Sequence, residues 1–491
     1  MKIPLLGYQP DLDPTQQGVL VDVAAIVPSI KGFKGAPTPV TTTTSAALAA
    51  ACRGAAVVQK LDSTVRVFAG SGVRLYEASG ASWTDRTRGA GVYALGSSQR
   101  WRFAQFGDTT IAAGSTTAGD ILQFSTAGAF ADIAGSPRAE VVEVAKNFVL
   151  AFNTIDGSLG TRPDAWWCSG INDYTLWTPS IATQSATGQL RGGAGPIRGA
   201  KAFGDQIIAY KENAMFLGQY VGQPEIWRWT LVPGTQGAVS HESIVNIGTD
   251  ALPRHFFMGS DDFYIFDGSR AQPVGLPVKT TVFGGLNRSF VSSCQISHDA
   301  VNGILYCYYP VSGTTNPDKC VVYNYKTDKW GRDDRTIEAA FEYVSPSLTY
   351  ADLGTYYSTY ADFPNASYGT FALSSAVKMP GIFNSSHVMQ TLTGMAGTGT
   401  MTLGDLGDDR AWTTISSLKP RYLRAPTSAQ MTNYYRDNLG DTLTTDQTVS
   451  QSSEKKFDAM RCARWHRAQL QFTGDVELNV IDADVIVEAG Y

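Results

Sequence analysis

Few places in the sequence carry side chains whose type and spacing could do chemistry. Asp261 and Asp262, with Asp267 close behind, offer carboxylates for a calcium loop or half of a glycosidase pair, and Asp405, Asp408 and Asp409 in GDLGDD offer the same. Neither run follows the D-x-[DN]-x-[DN]-G order with a distal Glu that a calcium loop needs. Both stand among Gly and Ser, where turns select Asp because its carboxylate accepts nearby backbone hydrogen bonds. They read as turn residues. The histidines His241, His255, His298, His387 and His466 are scattered, with no H-x-x-H or H-E-x-x-H pair to hold a metal, and each reads as a structural histidine. There is no G-x-S-x-G elbow and no P-loop. GGAGPIRG, at 192–199, is glycine-rich but contains Pro196 and opens no amphipathic helix, so it does not read as a phosphate cradle. No catalytic, cofactor-binding or metal-ligating residue is assigned, and no cofactor is expected.

One basic-aromatic cluster stands out, RCARWHR at 461–467. On a strand, Arg461, Trp465 and Arg467 would alternate onto one face, with Arg464 beside them. Such a face could touch a phosphate backbone. The plainer reading is an edge strand or subunit contact whose arginines pair with acids such as Glu454 or Asp458. Arg461, Arg464, Trp465 and Arg467 are therefore the candidate interaction surface. SGINDYTLW, at 169–177, resembles the Asp-box of sialidases, but its Asp is displaced and its Gly missing, so it reads as a turn packing Trp177. YNYKTDKW, at 323–330, resembles the turn-and-Trp element of kelch blades, which is architectural.

The elements that position these residues are β-hairpins. RHFFMGSDDFYIFDGSRAQPVG, at 254–275, alternates aromatic strands with Gly/Asp turns, a hairpin signature. Similar units begin near residues 62, 100, 140, 199, 242 and 293. A repeat of roughly 40 to 50 residues with about four short strands per unit is the pattern of a β-propeller. The expectation is an all-β chain with about six or seven blades over 61–335. Residues 1–60, rich in Pro, read as an extended N-terminal arm, in which TSAALAAACRGAA is equally a packed strand or a short helix. Residues 336–385 read as a Tyr-rich irregular segment or degenerate blade. Residues 386–491 read as a C-terminal β region that completes the propeller or forms a small sandwich.

Composition agrees with this reading. The 491 residues include 49 Gly and 22 Pro, and only 17% are charged against roughly 25% in an average domain, which suits packing against other subunits. The formal net charge of −5 argues against gripping a nucleic acid, since duplex binding is driven by Lys and Arg displacing counterions. It does not argue against letting one pass. The six cysteines form no C-x-x-C pair, so reduced thiols and assembly in the cytoplasm are expected. The start carries Pro4, Pro10 and Asp11 where a secretory signal needs an apolar core, and no stretch is long and apolar enough to span a bilayer.

Taken in order, these motifs resemble the tail nozzle family of short-tailed bacteriophages, also called tail tubular protein B, and the related tail hub proteins. The resemblance rests on GYQPDLDPTQQGVLVDVAAIVPSIKGFKGAP at the start, TVRVFAGSGVRLYEASGASWTD, WWCSGINDYTLWTP and GTQGAVSHESIVNIGTDALPRHFFMGSDDFYIFDGS. It closes with a late TYADL…STYAD segment and RWHRAQLQFTGD. Ala replaces Asn in the opening motif (AAIVPS), and the closing segment is rich in Asp and Val. The resemblance implies a non-enzymatic virion structural protein of the tail, a homo-oligomer, as a hexamer, around the tail axis. Its implied partners are an adaptor/portal complex, tail fibres or spikes, double-stranded DNA in transient passage, and a host cell surface. The alternatives are a propeller that binds carbohydrate or a host receptor, and, less favoured, a glycan-active enzyme.

Overall fold

A computed structural model describes residues 1–488 except 118, 158, 235, 250 and 345–377. The hairpin read first, His255–Met258 against Phe263–Phe266, pairs His255 with Phe266 and Met258 with Phe263, and all eight residues are buried. Aromatic and β-branched residues suit this site because both faces of the strands are covered by neighbouring sheets. Strands Ile244–Asn246 and Ala271–Pro273 complete a four-stranded antiparallel blade.

Six such blades come from continuous sequence, and their innermost strands are Ala55–Gln59, Arg102–Phe106, Arg138–Ala145, Ile197–Phe203, Ile244–Asn246 and Gln295–Asp299. A seventh is composite. Ile337–Val344, Lys378–Asn384 and Met389–Gly394 supply three strands, and Thr38–Thr41 from the arm supplies the outermost. Each innermost strand packs on the next, and Ile337–Val344 packs on Ala55–Gln59, which closes the ring. The fold is a β-propeller. Because one blade is sewn together from residues at both ends of the propeller sequence, the ring cannot open without losing that blade's fourth strand.

The segments outside the ring are a second β unit. Lys2–Pro4, Ile26–Pro28 and Phe33–Gly35 join Thr413–Arg424, Phe457–Ala463 and Glu477–Val487 in one sheet. Gly7–Tyr8 and Val19–Ala24 join Thr398–Leu403, Ser428–Arg436, Thr444–Ser450 and Trp465–Thr473 in a second. Alternating burial along Thr413–Arg424 and Trp465–Thr473 turns one row of side chains of each sheet inward. Leu418, Ile481, Met431 and Leu470 meet there, together with Ile3, Leu20 and Phe33 of the arm. This sandwich is not a separate body. Arg332, in the outermost strand of the sixth blade, pairs with Ile26, so blade and sandwich share a ten-stranded sheet. Phe263 and Trp330 of the propeller belong to the same apolar core.

The expected arm, residues 1–60, is thus three things: sandwich strands, the closing strand of the seventh blade, and, from Ala55, the first strand of the first blade. TSAALAAACRGAA forms neither a helix nor, before Ala55, a strand. In the C-terminal region, read as one or the other, Met389–Gly394 completes a blade and later strands form the sandwich. Residues 336–385 supply the first two strands of the seventh blade, and residues 345–377 between them are outside those described. Asp11, in a loop of the arm, accepts hydrogen bonds from the Thr281 amide and hydroxyl at 3.1 and 2.7 Å, fastening the arm to the short helix Lys279–Gly285.

Candidate functional site

The sequence-predicted cluster at 461–467 does not form one surface. Its chain turns at Arg464 from Phe457–Ala463, in one sheet of the sandwich, to Trp465–Thr473, in the other. This turn separates Arg461 from Trp465 and Arg467, and corrects the single-face expectation. Arg467 donates Nε and Nη2 to the two oxygens of Asp405 at 2.9 and 2.8 Å, and Arg436 reaches the same carboxylate at 2.6 Å. The Asp405 side chain is fully buried, so the two guanidiniums neutralise a charge the core could not otherwise hold. Trp465 is buried and donates its indole N–H to Asp409 at 2.6 Å. Arg461 lies over the Tyr435 ring at 3.7 Å and 3.5 Å from Asp446, while Arg464 lies over Trp412 at 5.5 Å. Arg467 and Arg461 pair with Asp405 and Asp446, Arg464 has only the Trp412 ring beside it, and Glu454 and Asp458 pair with Lys456.

Asp405, read with Asp408 and Asp409 as a turn acid, is thus a buried charge held by distant arginines, whereas Asp261 and Asp262 are satisfied by groups close in the chain. Asp262 accepts from the Phe263 and Gly275 amides at 2.7 and 3.0 Å, Asp261 accepts from the Tyr264 hydroxyl at 2.9 Å, and Lys279 lies 3.3 Å from Asp262. Hydrogen bonds from the Ser269 hydroxyl and amide hold the Asp267 carboxyl down to about 2. Trp177 is buried and donates to the Tyr174 carbonyl at 2.7 Å, a turn packing its tryptophan. In YNYKTDKW, Tyr323 stacks on Trp330 with centroids 4.6 Å apart. The GGAGPIRG loop turns acceptors inward, with Gly192 and Gly193 carbonyls at 3.2 and 2.8 Å from the buried ammonium of Lys211. That is the opposite of a phosphate cradle.

Charged side chains converge instead on the propeller axis. RWRF leads into the inner strand Arg102–Phe106, and Arg100 and Arg102 both act on Glu242 while Trp101 packs elsewhere. Trp101 packs edge-on against Tyr93 at 4.8 Å and donates to the Ser71 carbonyl at 2.8 Å. Gly70 leaves the room for it, since a Cβ there would stand 2.1 Å from the indole ring. The two arginines are thereby held toward the axis. Arg102, in the second blade, makes a forked pair with Glu242, at the entry to the fifth, with distances of 2.9 and 3.2 Å, and donates to the Glu140 carbonyl at 2.7 Å. Burial alone would raise the Glu242 carboxyl, but Arg102 and Arg100 outweigh it and hold the group below its ordinary value. An ion pair between the second and fifth blades ties the ring across its axis.

A cavity of about 520 Å³ adjoins this tie, lined by Arg102, Glu242, Lys201, His241, His298 and Glu342 among others. Its charges are matched in turn. Lys201 lies 3.7 Å from Glu143, whose carboxyl burial nevertheless raises. His298 sits between Glu342 and the Tyr325 hydroxyl, 3.2 Å from each, and Lys378 lies 2.9 Å from Glu342. Against the upward push of burial, these partners bring the Glu342 carboxyl to about 2. Burial, with Lys201 and Arg102 nearby, keeps His241 neutral. Such an array holds blades in register and leaves little free acid or base.

No family model matches the chain, and no curated protein does. Among solved structures it aligns with YCF48 from Cyanidioschyzon merolae at a TM-score of 0.35 and 11% identity, covering 73% of this chain and 99% of that one. It aligns with apo AztD from Citrobacter koseri at 0.35 and 11%, covering 60% and 78%, and with human WBSCR16 at 0.34 and 9%, covering 60% and 85%. Likeness at this level says nothing of activity.

The sequence reading missed the axial arginines. Their signal was the alternation Arg100, Trp101, Arg102 at the opening of a blade, where the innermost strand must turn one row of side chains to the axis.

Proposed function

We propose that this chain is a structural protein of a short-tailed bacteriophage tail, of the nozzle or hub kind, acting as one subunit of a ring that holds and releases the genome. The observation that carries the reading is the tied axis. A propeller enzyme presents an acid and a base for catalysis where its inner strands converge, whereas here Arg102, Glu242, Glu143, Lys201, His298 and Glu342 are spent on one another. Among the described residues the chain offers surfaces in place of a free catalytic set. The sixth blade, the arm and the sandwich share one sheet, and propeller residues join the sandwich core, which suits a part that must transmit load without hinging.

The sandwich also presents an apolar strip. Thr414 pairs with Cys462 on one side and with Ile486 on the other, and Met460, Ile486 and Val487 are exposed around them. An apolar strip of this kind on a weakly charged chain supports contact with another subunit. In this reading the bore lies between copies, because the propeller's own axis is crossed by an ion pair. Virion location, hexameric order, the adaptor/portal contact and DNA passage belong to the proposal.

Cryo-electron microscopy of the purified chain mixed with its tail adaptor complex tests it. The expected result is a six-fold ring on the adaptor with a duplex-wide channel between propellers. A monodisperse monomer that never joins the adaptor, or retention on a glycan array instead, overturns it and favours the carbohydrate-binding alternative.

A further inference from the structure

Among the described residues, Arg100 is a buried axial cation with no carboxylate in direct contact, Glu242 acting on it only at longer range. Its residue is 8% exposed, and its side chain makes one hydrogen bond, from Nη1 to the Glu338 carbonyl at 2.9 Å. No carboxylate among the described residues stands within 4 Å of it. Glu338, the nearest by contact, turns its own carboxylate away, accepting from the Cys52 amide at 2.8 Å and lying 2.7 Å from His387 Nδ1. Glu242 is engaged in its fork with Arg102. Burial depresses the Arg100 guanidinium, the charge of Glu242 offsets only part of this, and Arg102 and Arg53 push it further down. A buried charge in this condition is costly unless something pairs with it.

Arg100 lines a cavity of about 350 Å³ formed where the inner strands begin, whose walls carry several donors alongside Ala51, Phe290 and Glu338, the last with its carboxylate engaged by Cys52 and His387. Arg53 stands in it, its Nη1 bound to the Leu95 and Gly96 carbonyls at 3.1 and 2.7 Å, which fixes the guanidinium in place. Ser97, Ser98 and Asn316 add hydroxyl and amide groups, and Ser293 stands behind them. Two guanidiniums with hydroxyl and amide donors suit a tetrahedral oxyanion, because each planar fork can bind two of its oxygens.

We infer that this cavity is an anion site for a phosphate-type group, with Arg100 as its buried anchor and Arg53 at its rim. It does not depend on the tail assignment, since its geometry belongs to the single chain.

The direct test is titration of the intact chain with inorganic phosphate at constant ionic strength, read by calorimetry and by the phosphorus resonance of the phosphate. Saturable binding absent for chloride is expected, and its absence overturns the site. Arg100→Met should weaken binding by roughly 10- to 100-fold, the worth of a charge-assisted hydrogen bond. Removing an unpaired buried charge should leave the fold intact or more stable. Should that variant not fold, Arg100→Lys decides, since a lysine keeps the charge, loses the fork, and should bind several-fold more weakly. Phosphate binding of unchanged strength in the variant that decides refutes the assignment. Competition by glycerol phosphate supports a phosphomonoester as the occupant, and binding without such competition supports the free ion.

Discussion

Replacing His255 with glutamine should remove a defined part of the acid sensitivity of this protein. His255 is fully buried, with Nε2 donating to the Ala202 carbonyl at 3.0 Å and Nδ1 accepting from the Tyr210 hydroxyl at 2.8 Å. Burial pushes the imidazole from its ordinary 6.5 down to about 4. The folded value is depressed, so the stabilisation is complete above pH 6.5. As pH falls below that, the unfolded chain takes up a proton that the folded chain refuses until about pH 4, and stability is lost across the interval. At 1.36 kcal/mol per unit, the loss amounts to about 2 kcal/mol at pH 5 and about 3 kcal/mol at pH 4. Glutamine can offer an amide N–H and a carbonyl oxygen to the same two partners but does not titrate. Urea midpoints followed by tryptophan fluorescence at pH 7, 6, 5 and 4 should therefore show the two proteins converging as pH falls. His241 is depressed too and titrates in the same direction, but it is common to both chains and cancels in the difference. A difference between them that stays constant from pH 7 to 4 would refute the argument from burial.

Two further outcomes follow from the packing. Asp405→Asn leaves Arg436 and Arg467 facing a neutral amide in the sandwich core and should cost about 3–5 kcal/mol, read as a drop in the urea midpoint. Phe33→Ala opens a cavity where the arm meets the sandwich and should cost about 3–5 kcal/mol; a cost near zero would mean that the arm is not part of the core.

The blade rhythm was legible because it is written in local chemistry. Units read at 100, 140, 199, 242 and 293 begin within two residues of the inner strands Arg102–Phe106, Arg138–Ala145, Ile197–Phe203, Ile244–Asn246 and Gln295–Asp299. Gly/Asp turns and alternating aromatics act over a few residues, so they survive in a one-dimensional reading. The first blade was read short because Ala55–Gln59, AAVVQ, carries no aromatic and follows a run of small residues. The composite blade was hidden for a different reason. Thr38–Thr41 is TPVT, half-exposed to exposed along its length, and an edge strand covered on neither face shows no alternation.

The candidate site divides the same way. That Asp261, Asp262 and Asp267 are turn acids followed from their neighbours, because an Asx side chain finds its partners within a few residues. That Arg467 belongs to Asp405, or that Arg102 reaches Glu242 from another blade, did not follow, because such pairs are selected by the distance between folded strands. The sequence by itself determined that the fold is built on β-strands, that it repeats, and which residues turn it, since these are matters of backbone preference and side-chain period. Only the tertiary structure decided which strand closes the ring, where the arm goes, and which charges neutralise one another. Those outcomes depend on long-range contacts whose partners exchange no signal along the chain.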